Sequence, residues 1–257
     1  MRRREIFAPP LTIFSAIALT FAVGLCYTTK NTQKRSKPMK NGGNIALGIS
    51  QKVINGILAG ILISLGGAVY LACYNPEIAY MRYVGAFFFS LALVCICMRG
   101  YALYTGKIGL LIEKHTKEDV SVLLLCLLGN LLGTVALGYL VAYIFPDMQE
   151  TALTLCTSKL NQGYLFGLLR GVLCGILVFL AVDIYRNNNK SNIGTLLCIP
   201  AFILSGYEHS IADMFYFAAS GIASWQAFGY IMIIVLGNSI GGLLIPALQL
   251  IRPKENK

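Results

Sequence analysis

Residues Cys198 to Phe217 read CIPAFILSGYEHSIADMFYF, two apolar half-segments around a polar centre, Ser205-Gly206-Tyr207-Glu208-His209-Ser210. The residue there best suited to chemistry is His209. A neutral imidazole donates one N–H to an anion, or passes a proton to it near neutral pH. Placed in a greasy environment, either act eases the passage of a small anion. Dehydrating a charge in low dielectric is costly, and protonating the anion of a weak acid removes most of that cost. The competing reading is structural, with His209 only hydrogen-bonding a broken backbone. Glu208, its neighbour, reads as a structural carboxylate that accepts from loop N–H groups.

The elements that hold this centre are apolar. Of 257 residues, 56% are hydrophobic and 12% charged, where a soluble domain has roughly a quarter charged. Continuous apolar runs rather than alternating short ones point to membrane-spanning helices and exclude a barrel. An interrupted span must turn its broken backbone toward protein or a pore, and an ionisable residue at that depth marks a functional site. The net charge of +10 lies in short stretches between apolar runs. That pattern suits anionic lipid better than nucleic acid. The eight cysteines mostly sit inside apolar segments, with neither metal-ligand nor disulfide spacing. There is no acid–nucleophile pair, histidine cluster or nucleotide loop. An enzyme is therefore not expected, nor is any cofactor.

Six spans follow along the chain: 53–73, 83–98 with its polar continuation 99–107 and tail 108–112, 120–145, 163–184, the interrupted 192–219, and 228–250. They fall into two halves, 48–145 and 160–250. Each half has a glycine-rich first span, a broken second span and a third span carrying Gly-Asn-x-x-Gly. Three spans per half imply opposite orientation, an inverted repeat whose breaks meet near the midplane. The repeat pairs Asn130 with Asn238, whose amides are expected to satisfy backbone groups freed by the breaks. Residues 48–250 thus form the channel domain and 251–257 a tail. Residues 1–47 form a basic and apolar extension: an uncleaved accessory helix, a leader or a surface-lying segment. Basic residues concentrate on one side, with Lys30–Lys52, Lys114, Lys117, Arg186, Lys190 and Arg252 inside and only Arg82 and Lys159 outside. Both ends of the core are therefore expected in the cytoplasm, with the chain in the inner (plasma) membrane.

The motifs AGILISLGG (59–67), LYTG (103–106), GNLLG (129–133), RGVLCGILVFLAV (170–182), SGYEHSIADM (205–214) and GNSIGG (237–242) occur in this order. The string in the fifth span is the most specific. Over about residues 48–246 the chain resembles the formate/nitrite transporter family of channels for small monovalent anions. The resemblance implies an all-α, aquaporin-like protomer of six spans with broken second and fifth helices. It also implies a homopentamer with a pore in each protomer. The expected partners are formate, nitrite or hydrosulfide, protons and the lipid bilayer. By the same resemblance Thr105 faces the pore opposite His209, Leu103 and Phe202 are apolar plugs, and Lys159 is a vestibule cation. Packing is an equal account of Leu103, and plain solvation a rival account of Lys159. Lys52 is a looser match for a cytoplasmic entrance charge.

Four positions depart from the family pattern: Ala102 where an acidic residue is usual, Lys107 and Asp213 in place of asparagine, and Gly175 after Cys174. They are expected to surround the pore more than the fold. Arg99 and Lys107 flank the first break and either attract anions or pair with Asp213 or Asp183. An aquaporin-like channel for neutral solutes is the alternative function, although no paired Asn-Pro-Ala loops are present.

Overall fold

The computed structural model describes residues 44–74, 78–113 and 116–252, with side chains from 48 onward except at 79. The readings of residues 1–43 and of the tail beyond 252 lie outside these. The described elements belong to one compact unit and are helical throughout. They are α1 (Asn44–Cys73), α2 (Ala79–Arg99), α3 (Tyr104–Lys107) running into a 3-10 turn (Ile108–Ile112), and α4 (Lys117–Ile144). There follow α5 (Pro146–Gln162), α6 (Tyr164–Asn187), α7 (Ile193–Leu204), α8 (Ser210–Ser220) and α9 (Trp225–Ile251). Among them α1 (from Gly48), α2 (from Tyr80), α4, α6 and α9 are long and apolar enough to cross a membrane; α7 is apolar but shorter.

Helix ends follow local chemistry. Thr116 and Asp119 form a capping box at the start of α4, Ser224 caps α9, and Pro146 opens α5. α2 ends where Gly100 takes a left-handed conformation (φ 70°). With such a sharp stop the chain leaves the helix after Arg99, runs extended to Leu103 and restarts as α3. A second stop at Gly206 (φ 70°) separates α7 from α8.

The two breaks are seated in the same way. α1 crosses α4 so closely that a Cβ on Gly60 would lie 2.5 Å from the carbonyl oxygen of Asn130. α6 crosses α9 so closely that one on Gly175 would lie 2.3 Å from that of Asn238. Gly175 therefore belongs to a helix crossing rather than to the pore surroundings, because no side chain fits there.

The two ends of the unit differ. Exposed aromatics gather where α1 passes to α2, where α4 ends, where α6 starts and where α9 starts: Tyr80, Tyr83, Tyr143, Tyr164 and Trp225. The opposite helix ends carry Lys52, Lys117, Arg186, Lys190 and Arg252.

Candidate functional site

Each break leaves backbone groups that a helix would otherwise pair, and one buried asparagine serves each. Asn130 Oδ1 accepts the N–H of Tyr104 at 2.8 Å, while its Nδ2 donates to the carbonyls of Gly56 and Ala102, both at 2.8 Å. Asn238 Oδ1 accepts the N–H of Ser210 at 2.8 Å, while its Nδ2 donates to Gly171 at 2.9 Å and Glu208 at 2.8 Å. The neighbouring backbone bonds correspond too, Ala102 N–H to Asn55 at 3.2 Å and Glu208 N–H to Arg170 at 3.4 Å. In this register Leu103 holds the position in the first break that His209 holds in the second.

The two equivalent positions do different things. Leu103 opens α3 without a side-chain cap. His209 opens α8, and its Nδ1 accepts the N–H of Ala212 at 3.2 Å. That bond sets the tautomer: Nδ1 is an acceptor, so the neutral ring carries its proton on Nε2. Nε2 lies 2.9 Å from Thr105 Oγ1 and donates to it. Phe202 stacks on the imidazole at 5.6 Å between centroids and 23° between planes. Thr105, His209, Phe202 and Leu103 are all buried.

A cavity lies on either side of this group. The first, of about 240 Å³, lies toward the aromatic end and is lined by His209, Phe202, Lys159, Glu208, Asp213 and Arg170, among others. The second, of about 230 Å³, lies toward the basic end. Its wall includes Leu103, Gly106, Lys107, Tyr185, Arg186 and Lys190, with no carboxylate in it among the described residues. The Thr105–His209 bond thus joins the wall of one cavity to a residue beside the wall of the other.

Lys159 is not on a loop. It lies near the end of α5, largely buried, and its ammonium contacts Glu208 Oε2 and Asp213 Oδ1, the latter at 2.9 Å. Burial disfavours its charge, but Asp213 and Glu208 outweigh that and hold its pKa well above the usual lysine value. Glu208 therefore does not serve loop N–H groups. Its second oxygen accepts from Gln162 Nε2 at 2.9 Å. Asp213 is taken by Lys159 rather than by Lys107, and Asp183 accepts an amide hydrogen from Asn187 at 2.7 Å. Lys52 sits 3.9 Å from Glu118 on the surface, and Arg99 is the last residue of α2.

The partnership of Lys159 is hidden in the sequence because CTSKLNQG looks like a polar loop. A helical signal is nonetheless present: Met148, Ala152 and Cys156 recur every fourth residue and are buried, and Lys159 extends the same face. Gln162 and the cavity cations Arg82 and Arg170 also escape sequence reasoning. Arg82 donates to the Leu204 carbonyl at 3.3 Å, and Arg170 donates to Gln162 Oε1.

Comparison with known proteins adds the context for this geometry. A family model described as "Formate/nitrite transporter" matches residues 39–251. "Formate-nitrite transporter 2" of Toxoplasma gondii is 25% identical over an alignment covering 93% of this chain and 56% of that protein. The chain thus spans little more than half the length of that relative. "Nitrite transporter NirC" of Escherichia coli is 27% identical, covering 66% of this chain and 71% of its own. A solved structure described as "Pentameric formate channel with formate bound" superposes with a TM-score of 0.69, at 20% identity, over 80% of this chain and 97% of the other. Another, "FNT family ion channel", gives 0.67 at 22% identity, over 93% and 98%. These two likenesses establish the fold.

Proposed function

The chain belongs to the formate/nitrite transporter family, and from that premise we propose that it passes small monovalent anions of weak acids, formate, nitrite or hydrosulfide, through a pore in each protomer. It is a multi-pass membrane protein, and its family is one of transporters rather than enzymes. The observation that supports the substrate class is the buried imidazole. His209 has one N–H, on Nε2, aimed at Thr105 between two cavities whose walls both carry cations. Cations gather anions at each mouth. The apolar stretch made by Phe202 and Leu103 rejects a hydrated charge. A weak acid meets both demands, because it enters as an anion and crosses as a neutral molecule that accepts one hydrogen bond from the ring. Protonating Nδ1 would remove the acceptor on which the α8 N-terminus rests, so in this arrangement the ring acts as a hydrogen-bond donor.

The two broken spans act as an inverted repeat meeting at this bond. The concentration of Lys and Arg at one end orients that end to the cytoplasm of a plasma (inner) membrane. Five copies assemble around an axis, by likeness to the pentameric formate channel. Native mass measurement of the extracted complex is expected to give five chains; a monomer or dimer would end that part of the reading.

His209→Asn tests the mechanism, because an asparagine oxygen can still cap α8 while its amide nitrogen stops one bond short of the place from which Nε2 donates. Formate, nitrite and hydrosulfide flux should be measured against pH in proteoliposomes, normalised to intact oligomer. We expect the variant to assemble and to lose weak-acid flux and selectivity. Unchanged flux and selectivity in an assembled variant would remove His209 from the mechanism.

A further inference from the structure

The wall of the first cavity holds a charge problem that anion passage alone does not use. Glu208 and Asp213 are 3% and 1% exposed, and both contact the single ammonium of Lys159. The other cavity cations are engaged elsewhere, Arg82 with the Leu204 carbonyl and Arg170 with Gln162. Two buried carboxylates on one ammonium leave a net negative charge in a poorly hydrated place, which a shared proton relieves. The partners show where the proton belongs. Glu208 is satisfied on both oxygens, by Lys159 and Gln162. Asp213 has Lys159 on Oδ1, while its Oδ2 is buried with no donor to it among the described residues.

We propose that Asp213 is a proton-exchanging residue of this chain: it holds a proton beside Lys159 and hands it to a weak-acid anion that docks on the same ammonium. The proposal rests on the passage of weak acids and adds the source of the proton. In the step, the Asp213 O–H bond breaks and a bond from that hydrogen to the anion forms. Asp213–COOH and A⁻ become Asp213–COO⁻ and HA, with no change in total charge or oxidation state. The new carboxylate keeps its ion pair with Lys159, and water in the cavity returns a proton to it from the same side. The neutral acid then moves on to His209 and Thr105. This assignment is specific to the carboxylate, since the asparagine usual at this position has no proton to give.

The ionisable groups that act on Asp213 from the packed elements are Lys159 and Cys156 on α5, Glu208 in the break, Cys174 on α6, Tyr216 on α8 and Tyr230 on α9. Of these only Glu208 is a second carboxyl group; His209, facing the same cavity, is removed independently by His209→Asn.

The test uses the full chain in liposomes. Infrared difference spectra between pH 5 and pH 8, without substrate, read the carbonyl stretch of a protonated carboxyl. We expect that band in the wild type and its loss in Asp213→Asn. We also expect its loss in Glu208→Gln, which leaves Asp213 as the sole carboxylate on Lys159 and lets it ionise. Formate uptake should then fall about tenfold near neutrality in Asp213→Asn and approach the wild-type rate at pH 5. That is the effect of moving the controlling proton by about one pH unit. Absence of an Asp213-dependent band overturns the proposal. So does a band accompanied by an unchanged pH profile in Asp213→Asn, and in that case the anion-channel reading survives. Absence of formate, nitrite and hydrosulfide flux in the wild type overturns both.

Discussion

At the scale of single residues, the two asparagines carry more of the fold than their size suggests. Each amide makes three buried hydrogen bonds to backbone, and only at the Ala102 carbonyl does a second side chain, the Cys126 thiol at 3.0 Å, join it among the described residues. Asn238→Ala should therefore cost on the order of 3 kcal/mol, read as a lower thermal midpoint of the extracted oligomer. Asn238→Asp should be no better, because a carboxylate replaces the donor to Gly171 and Glu208 with a repelling oxygen. Recovery of wild-type stability by the aspartate variant would show that only the acceptor side matters. Thr105 behaves differently. Thr105→Val keeps the volume but strands the His209 N–H, so the expected loss is in flux and selectivity, with a smaller shift of the midpoint than Asn238→Ala.

At the scale of elements, the crossings of α1 with α4 and of α6 with α9 are backbone-to-backbone contacts. Gly175→Ala and Gly60→Ala each place a methyl carbon against a carbonyl oxygen that cannot retreat, and a strain of about 1–3 kcal/mol or more is expected. Gly48→Ala, with nothing within 4 Å, should be neutral or slightly stabilising. Assembled yield by size exclusion separates the two classes, and equal yields would mean the crossings can open at little cost. Much of this architecture is legible in the sequence. A polar run inside an apolar segment has to be a break, and the recurrence of Gly-Asn-x-x-Gly in 129–133 and 237–241 marks two matching joints. What escapes depends on tertiary approach. Nothing near Lys159 in the chain says that α5 folds down onto α8, because its carboxylate partners lie 49 and 54 positions away. Gly175 is misjudged for the same reason: glycine says that something comes close without saying what.

At the scale of the whole molecule, the aromatic end and the basic end make opposite demands on a bilayer. Tyr and Trp settle at the headgroup level, and the chain has one tryptophan. Trp225 is 87% exposed at the start of α9. Its fluorescence should be quenched more by lipids labelled near the headgroup than by lipids labelled at the acyl terminus. The reverse order would mean that this end lies deep in the hydrocarbon. The pattern of joints also bears on biogenesis. Asn130 ties together residues 56 to 130, and Asn238 ties together residues 171 to 238, so each half seals its own break. The first can do so before the second has been synthesised. Side-chain bonds between the halves are of another kind, among them Thr105 to His209, Tyr104 to Ser239 at 2.8 Å, Arg82 to Leu204, and Arg186 to Glu113 at 3.7 Å. Thr105 and His209 stand between the cavities, Arg82 lines the first and Arg186 the second. The junction of the cavities is thus a seam between two pieces that each stitch their own break, and evolution can retailor its side chains without unpicking the two asparagine joints.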